Sequence, residues 1–355
     1  MTQHDTLDAM LAAVIERRGT DMLLTCGSAP LIRVDGALQP APELAELDDG
    51  AMDLVLCGLL DASQRAQLET DRDIDFAFSF QDARFRGNAF FQRGRHAVAL
   101  RLMHGRIPTF DEIGLPHPIR DLAQLNQGLI LFTGPTGSGK STSLATLVDA
   151  INATRPCHII TIEDPVEYLH TNRRALVHQR EVGLDAHSFE RALRAALRED
   201  PDVVLVGEMR DLESIAITLT LAETGHLVMS SLHTNDAPQA LDRIVDVFPA
   251  ERQGQIRLQL ASVLTAVVAQ RLVPRLGGGL VAAYEVLIAT SAVSNLIREG
   301  KTRQLRNAMQ MALAAGNQTL EMSLNALVAA GTIAPEAAIA TAFVPHEIGV
   351  PALSA

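Results

Sequence analysis

The residues with the clearest chemical pattern form a glycine-rich loop near the middle of the chain. They satisfy the pattern G-x-x-x-x-G-K-[ST] and are Gly134, Pro135, Thr136, Gly137, Ser138, Gly139, Lys140 and Ser141. A short apolar run precedes the loop and a helical pattern follows it, as in loops that bind phosphate. Glycines let successive backbone N–H groups converge on phosphate oxygens, and the start of the helix favours negative charge. We therefore predict a nucleotide site here.

Two side chains of this loop have predicted roles at the nucleotide phosphates. Lys140 is expected to reach the β- and γ-phosphates, and the Ser141 hydroxyl is expected to bind Mg²⁺. The sequence lacks the N-K-x-D pattern that recognises guanine, so ATP is favoured over GTP. The predicted cofactors are therefore ATP and Mg²⁺.

Carboxylates follow two other apolar runs, where parallel strands would end. Glu163 and Glu167 follow the first run, and Glu208 follows the second. Open α/β sheets gather their ligands at the carboxyl ends of strands, and hydrolysis needs acids there. Acids at strand ends are also common as helix caps and in solvated turns, but the phosphate loop favours catalysis. We predict that Glu208 binds Mg²⁺ through water and that Glu167 or Glu163 orients the attacking water.

Two histidines flank the apolar run at residues 227–230. His226 and His233 are seven positions apart, which on a regular strand puts them on opposite faces and about 23 Å from each other. They cannot share one ligand. His233, at the carboxyl end, is predicted to sense the γ-phosphate. His226 is assigned to the nucleotide site, with a purely structural role as the alternative.

An arginine-rich segment lies in the first third of the chain. Residues 84–109 contain no acidic residue and six arginines, which are Arg84, Arg86, Arg93, Arg95, Arg101 and Arg106. Alternating polar positions on a solvated sheet face commonly carry arginine, which is one interpretation. The other is contact with phosphate, because guanidinium groups match phosphate oxygens in geometry. Charge alone does not choose between them.

The spacing of apolar residues divides the chain into four parts. Residues 1–105 combine helical periodicity with alternating strands, which predicts a small α+β domain. Residues 106–120 contain several prolines and are predicted to be a linker. In residues 121–290, short apolar strands alternate with helices, which predicts an α/β fold with a sheet covered on both faces. Residues 291–355 have an Ala/Leu-rich pattern that predicts a helical C-terminal region.

Composition excludes several classes of protein. The chain has 355 residues, 47% of them hydrophobic, and a formal net charge of −12. That charge repels a phosphate backbone, and with only 4% aromatic residues there are few platforms for stacking bases, so no nucleic-acid partner is expected. No apolar run approaches the roughly 18 residues of a transmembrane segment. Three widely spaced cysteines favour neither disulfides nor a zinc site, which fits a cytoplasmic protein.

Four segments occur in an order that resembles a known family. They are residues 134–142, including Thr142, as a Walker A box, 162–167 as an aspartate box, 198–211 as an atypical Walker B box and 224–235 as a histidine box. Together they resemble the secretion-type ATPases of type II secretion and type IV pili. Residues 292–299 resemble the A-I-R-N-L-I-R-E motif of the PilT-type retraction branch, departing from it at Val293 and Ser294.

The resemblance implies an architecture and a mechanism. It implies a PAS-like N-terminal domain, a RecA-like P-loop ATPase core and a homo-hexamer with ATP at its subunit interfaces. It also implies that Arg86, Arg93 and Arg101 approach the nucleotide phosphates from the N-terminal domain. Hydrolysis would then be coupled to rotation of one domain against the other, as in other domain closures.

The same resemblance implies a cellular role. The expected partners are an inner-membrane pilus platform protein (PilC-like) and a paralogous pilus ATPase, with the motor bound peripherally to the cytoplasmic side of the inner membrane at the pilus base. Pilus retraction in twitching motility is the expected function. The alternatives are an ATPase of pilus assembly or type II secretion, a PilU-like accessory ATPase, and a regulatory subunit that binds nucleotide without hydrolysing it.

Overall fold

The chain folds into two units. The computed structural model describes residues 3–34, 36–81, 83–103 and 106–349. Contacts group residues 1–106 with 167–169 in the first unit, and residues 107–166 with 170–355 in the second. Residues 350–355 of the predicted C-terminal region, and residues 104 and 105 of the predicted N-terminal domain, lie outside the described residues.

The first unit is an α+β fold built on one antiparallel sheet. Its strands are β1 Asp21–Thr25, β2 Leu31–Val34, β3 Ala37–Pro40, β4 Asp73–Phe80, β5 Ala83–Gln92 and β6 Arg95–Leu102, and its helices are α1 Gln3–Glu16, α2 Asp49–Leu59 and α3 Ala62–Asp71. The strand order is β3-β2-β1-β6-β5-β4. Alternate strand residues such as Ile74, Phe76 and Phe85 pack with the helices in one core, so the other sheet face carries the polar side chains.

The second unit contains the remaining elements. Its strands are β7 Gly128–Thr133, β8 His158–Glu163, β9 Leu176–Glu181, β10 Val203–Val206, β11 Leu227–Leu232, β12 Leu264–Pro274 and β13 Leu280–Ile288. Its helices are α4 His117–Asp121, α5 Lys140–Thr154, α6 Phe189–Ala196, α7 Leu212–Glu223, α8 Ala237–Asp246, α9 Ala250–Val263, α10 Ser291–Arg298, α11 Leu305–Met311, α12 Leu320–Ala329 and α13 Pro335–Thr341. Short 3₁₀ turns occur at Leu122–Gln124, Thr302–Gln304, Leu313–Ala315 and Pro345–Glu347.

One mixed sheet organises the second unit. Its order is β13-β12-β7-β11-β10-β8-β9, and β13 alone runs antiparallel to its neighbour. Strand β7 is buried along its whole length, with Leu129 and Leu131 in one core cluster and Ile130 and Phe132 in another. Helices therefore cover both faces, as the continuous apolar runs predict. The predicted α/β fold with a smaller α+β unit is confirmed.

The segment predicted as a linker is partly structured. Residues 117–120 belong to α4, and Leu115 and Ile119 are buried in a core cluster of the second unit. The prediction rested on its prolines, yet Pro116 precedes the helix and Pro118 lies in its first turn. Proline is tolerated at both places because the first N–H groups of a helix have no partner within it.

Candidate active site

The glycine-rich loop connects β7 to α5, as its sequence context predicts. Gly134, Gly137 and Gly139 have φ values of 145°, 77° and 87°, which side-chain-bearing residues rarely adopt. A Cβ atom on Gly139 would lie 2.8 Å from Gln270 Nε2, and one on Gly134 would collide with the Gln270 carbonyl oxygen. Glycine is therefore required at two points of the loop for space as well as for conformation.

The interior of the loop holds groups that suit a phosphate. Lys140 is 7% exposed, and its Nζ donates to the carbonyl oxygens of Gly134 at 2.8 Å and Pro135 at 3.0 Å. Ser138 Oγ is buried and has no hydrogen-bond partner among the described residues. A buried hydroxyl without a partner is costly unless a ligand supplies one. An ammonium group and an unsatisfied hydroxyl inside a glycine loop fit a nucleotide phosphate.

The remaining residues of the loop are accessible. Pro135, Thr136, Gly137 and Ser141 are exposed, and Thr142 is half-buried one residue later in α5. The Ser141 hydroxyl is thus available at the start of the helix, and hydroxyl and carboxylate oxygens are ligands that Mg²⁺ prefers. Among the described residues, no cluster of three or more His, Cys, Asp or Glu could hold a metal ion by itself. Any Mg²⁺ here would therefore depend on nucleotide phosphates for further ligands.

Gln270 supports the loop from the neighbouring strand β12. Its role was not predicted from the sequence. Its side chain is 3% exposed, and its Oε1 accepts from Ser143 Oγ at 2.8 Å. Because β12 pairs with β7 in parallel, with Ala269 beside Thr133, the next residue of β12 lies against the start of the loop. No local motif marks this residue, since its role depends on the pairing of β12 with β7.

The predicted acids lie at the same sheet edge as the loop. In the order β7-β11-β10-β8, neighbouring strands are about 4.8 Å apart, so β10 lies about 10 Å from β7 and β8 about 14 Å. Glu208 follows β10 and Glu163 ends β8. Ile162 is paired with Val206, which puts both acids at the carboxyl edge. Glu208 is thus one strand closer to the loop than Glu163.

Glu208 lies within an ionic network. Its Oε2 accepts from Arg210 Nε at 2.8 Å, and its Oε1 lies 3.3 Å from His233 Nε2. Arg210 also approaches Asp164 at 3.7 Å. The hydrogen bond to Glu208 raises the pKa of Arg210 above its usual value, against the opposing effect of burial. The structure therefore brings the Walker B and histidine boxes together, and it adds Arg210, which lies within the Walker B box but received no role from the sequence.

Backbone contacts hold Glu208 next to β11. Ser231 Oγ donates to the Gly207 carbonyl oxygen at 2.6 Å, and the Met209 N–H donates to the Ser231 carbonyl oxygen at 3.3 Å. Glu208 is therefore flanked on both sides by residues bonded to one position of β11. Its side chain remains 22% exposed, so it can meet a ligand.

The two candidates for the water-orienting base differ in their surroundings. Glu163 Oε1 accepts from Thr161 Oγ1 at 2.6 Å and from Gln179 Nε2 at 3.3 Å, so its carboxylate is held at the end of β8. Glu167 is half-buried, and residues 167–169 group with the first unit. The two carboxylates thus belong to different units of the fold.

His226 does not lie near the phosphate loop of its own chain. It precedes β11, whose first residue, Leu227, pairs with Gly128 at the opposite end of β7 from the loop. Seven residues along the strand direction correspond to about 23 Å. Its Nδ1 lies 2.8 Å from the Leu221 carbonyl oxygen and 3.1 Å from Thr224 Oγ1. Within one chain, His226 therefore closes the turn after α7 and is not brought together with the phosphate loop.

The predicted arginines of the first unit form one pair and one outlier. Arg86 and Arg101 are directly opposite each other on β5 and β6 and share a sheet face. Arg93, with φ 50°, lies in the turn between these strands. Seven residues separate it from Arg86, or about 23 Å along the strand. Arg86 and Arg101 are therefore adjacent, whereas Arg93 lies at the far end of the same hairpin.

An open pocket of about 260 Å³ surrounds the arginine pair. Arg101 Nε donates to Asp21 Oδ1 at 2.8 Å, and Arg33 Nε lies 3.6 Å from Asp21 Oδ2. Burial alone would raise the pKa of Asp21, but the hydrogen bond and positive charge of Arg101, helped by Arg33, hold it below its usual value. Arg86 forms an ion pair with Asp75 at 3.9 Å. Two arginines and two aspartates, Asp21 and Asp75, therefore line the pocket, and their formal charges balance.

Comparisons with known proteins agree with these features. The family model for type II/IV secretion system proteins matches residues 32–280. The chain is 44% identical over 338 residues to the type IV pilus retraction ATPase PilT of Pseudomonas aeruginosa, covering 95% of this chain and 98% of that protein. It is 40% identical over 337 residues to the pilus ATPase PilU of the same organism, covering 94% of this chain and 88% of PilU.

A solved structure extends the similarity to the fold. The crystal structure of the pilus retraction motor PilT with bound ADP superposes with a TM-score of 0.90 at 44% identity, covering 96% of this chain and 98% of that chain. In the part of the chain that is described, no helix is both long and apolar enough to cross a membrane. Ordered boxes, a phosphate loop and full-length similarity lead to one conclusion: the chain belongs to the type II/IV secretion system protein family.

Proposed function

We propose that the chain is an ATP-hydrolysing motor that drives the retraction of type IV pili. The observation that carries the proposal is the contact of Glu208 with His233 and Arg210, at the sheet edge that also holds the phosphate loop. A site that only binds nucleotide has no need of a carboxylate linked to a histidine on the adjacent strand. The similarity to PilT over 95% of the chain supports retraction, and not assembly, as the action of the motor.

Residues 134–142 bind the phosphates of ATP in this proposal. Backbone N–H groups of the loop donate hydrogen bonds to the phosphate oxygens, and the start of α5 favours their negative charge. Lys140 Nζ exchanges the carbonyl oxygens of Gly134 and Pro135 for phosphate oxygens, and Ser138 Oγ gains the partner that it lacks. Lys140 thus replaces contacts within the loop by contacts with ligand and Ser138 gains a new contact, so binding orders the loop around the phosphates.

Ser141 and Glu208 would hold Mg²⁺, Glu208 through a water molecule. When bound, Mg²⁺ neutralises charge on the phosphates during transfer. Arg210 holds the Glu208 carboxylate in position through its 2.8 Å hydrogen bond. His233, 46% exposed and 3.3 Å from Glu208, is placed to respond to the γ-phosphate. Loss of the γ-phosphate would therefore alter the environment of Glu208 through His233.

Hydrolysis needs a base that orients the attacking water and cations that stabilise the negative charge on the transferring phosphoryl group. Glu163 and Glu167 remain the candidates for the base, Glu163 from the second unit and Glu167 from the group of residues that joins the first. Arg86 and Arg101 supply cations from the first unit, where guanidinium groups stabilise the transferring phosphoryl group. Because these groups belong to two units, hydrolysis requires both units, and a change in their arrangement would couple chemistry to motion.

The assembly follows from the same proposal. The motor is a homo-hexamer with ATP at its subunit interfaces, acting on a platform protein of the inner membrane from the cytoplasmic side. Mass photometry with ATP should then give a species of six times the chain mass of 38.2 kDa. A monomer under every nucleotide condition would contradict the ring.

An accessory ATPase of the PilU type is the second candidate. Identity to PilU is 40%, close to the 44% identity to PilT. Val293 and Ser294 also depart from the retraction motif at the start of α10. An accessory motor would keep the ATPase site and the ring but would need another ATPase for retraction in the cell.

Steady-state phosphate release tests the site. Lys140→Ala removes the cation of the loop, and Glu208→Ala removes the carboxylate that orients the Mg²⁺ water. Each should lower kcat by roughly a hundredfold or more, in line with single groups of this type, and Glu167→Gln tests one base candidate against Glu163→Gln. Glu336→Gln, an exposed carboxylate on α13, is the matched control. Wild-type turnover in both Lys140→Ala and Glu208→Ala would remove the catalytic assignment.

A further inference from the structure

The loop that carries His233 is held by side chains from other strands. This histidine loop, residues 233–236, connects β11 to α8. Thr133, the last residue of β7, donates from its Oγ1 to the Thr234 carbonyl oxygen and lies 2.7 Å from Thr234 Oγ1. The residue directly before the phosphate loop therefore fixes the position directly after His233.

Two further strands hold the other half of the histidine loop. Arg271 of β12 donates from Nη2 to Asn235 Oδ1 at 3.2 Å. Glu285 of β13 accepts from the backbone N–H of Ala237, the first residue of α8, at 2.9 Å. Strands β7, β12 and β13 thus each contribute one side chain that holds position 234, 235 or 237 respectively. The loop has the two-sided support that a positioned catalytic group requires.

Arg271 has a second contact, which leads to the C-terminal part of the chain. Its guanidinium carbon lies 4.7 Å from the centroid of the Phe343 ring, in cation–π geometry. Arg271 Nε is buried without a hydrogen-bond partner among the described residues. The guanidinium is therefore restrained by one hydrogen bond at Asn235 and by one aromatic ring.

The Phe343 ring is itself held in place from the protein interior. Glu321 of α12 is 1% exposed, and its Oε1 accepts from the backbone N–H groups of Phe343 and Val344 at 2.9 Å each. Arg306 Nη2 bridges Glu321 at 2.9 Å and Glu347 at 2.6 Å. Residues 343–347, here called the C-terminal segment, are thus attached to α11 and α12 and contact the histidine loop through Arg271.

We propose that Arg271 is a positioning residue through which the C-terminal segment sets the rate of ATP hydrolysis. The Phe343 ring keeps the guanidinium plane aimed at Asn235, and that bond keeps His233 against Glu208. Without the ring, the guanidinium loses one of its two restraints, and the histidine loop loses a fixed donor. Phe343 packs against the core cluster that includes Val273, Leu320 and Leu324, which contains no residue of the phosphate loop, so we expect ATP binding to be unaffected. The proposal rests on the proposed ATPase function and adds a control on its turnover.

The test uses substitutions at Phe343, which leave β12 and its neighbour Gln270 unchanged. Phe343→Leu should lower kcat three- to tenfold while the KM for ATP stays within twofold of wild type. Phe343→Tyr restores an aromatic face and should return kcat to within twofold. Phe91→Leu is the matched control, because Arg72 lies 4.6 Å from the Phe91 ring in the first unit, and its kcat should match wild type.

Asn235→Ala provides a second variant at the other end of the contact. Asn235 is exposed, so this change spares the core even where Phe343→Leu impairs folding. It should lower kcat with unchanged KM, and combining it with Phe343→Leu should lower kcat no further than the stronger single change. Wild-type kcat in Phe343→Leu or in Asn235→Ala, equal losses in Phe343→Leu and Phe343→Tyr, or additive losses in the double variant would each overturn the proposal. Absence of turnover in the wild-type protein would instead refute the proposed function.

Discussion

Asp21 lies between two arginines, and only one of them has a proposed part in catalysis. Arg101 contacts it at 2.8 Å and also faces Arg86 across the strands, whereas Arg33 contacts it at 3.6 Å on β2. The two guanidinium groups therefore share a carboxylate, but only Arg101 lines the pocket beside Arg86. Comparing the two arginines therefore distinguishes a catalytic role of this segment from a solvated sheet face.

We predict that Arg101→Ala lowers kcat by roughly tenfold or more with little change in the KM for ATP, since an arginine at the transferring phosphate acts on the transition state. Arg33→Ala is the control and should retain turnover near wild type, because it removes a charge beside the same Asp21. Steady-state ATPase assays measure both. Equal kcat values in the two variants would favour the other interpretation, in which the arginines of residues 84–109 only cover a solvated sheet face.

Glu285 is a buried carboxyl group whose ionisation should affect stability. Burial raises its pKa to about 7, opposed by the hydrogen bond from Ala237; Asp236 and Glu321 add to the increase and Arg306 counters it. The stabilisation from the neutral form is complete below about pH 4.5, the value for an unshifted group, and is lost as the pH rises towards 7.

We therefore predict that Glu285→Gln, which is neutral at every pH, becomes more stable relative to wild type as the pH rises from 4.5 to 7, by an amount on the order of 3 kcal/mol at the upper end. Chemical denaturation at several pH values measures the difference. For the control Glu336→Gln, an exposed position, the difference in unfolding free energy from wild type should not change between these pH values. The same result for Glu285→Gln would contradict the raised pKa of Glu285.

At the residue scale, the sequence predicted groups that carry a local motif. The phosphate loop, Glu208 and His233 lie at one edge of the sheet because each follows the carboxyl end of a strand. Gln270 and Arg271 were missed because their roles arise only when β12 pairs beside β7. Arg210 received no role although it lies within the Walker B box.

At the scale of elements, the sequence predicted most strands of the two sheets but not β3, β9 or β12. Strand β12 follows α9 without an intervening turn signal, so its apolar residues continue a helical pattern. Strand β9 carries polar residues, as edge strands often do. The strand order itself depends on crossover connections and has no local signal. The distance of each acid from the loop could therefore come only from the structure.

The junction of the phosphate loop with α5 gives a prediction at this scale. Gly139→Ala should abolish detectable ATP binding, because its φ of 87° is strained for alanine and the new Cβ would meet Gln270 Nε2 at 2.8 Å. Gly277→Ala is the control: φ is 89° there too, but no atom lies within 4 Å of a Cβ. It should lose only about 1–2 kcal/mol of stability. Titration with a fluorescent ATP analogue and thermal unfolding measure the two effects, and tight binding by Gly139→Ala would show that the loop can relax.

At the scale of the whole molecule, the phosphate loop belongs to one unit and the predicted arginines belong to the other. In a chain with a net charge of −12, an arginine segment without acidic residues at 84–109 is distinctive, because the rest of the chain would repel ATP. Similarity to PilT over 95% of the chain includes both units. Force generation would therefore belong to the complete chain and not to the ATPase unit alone.

The most direct test of the central claim is live imaging of labelled pili in the host after deletion of the gene, with complementation by wild type or by Lys140→Ala. We predict that the deletion strain makes abundant pili that extend without retracting. The wild-type gene should restore retraction, and Lys140→Ala should not. Cells without pili would indicate an assembly motor, normal retraction would indicate an accessory role, and restoration by Lys140→Ala would show that ATP hydrolysis at this loop does not drive the movement.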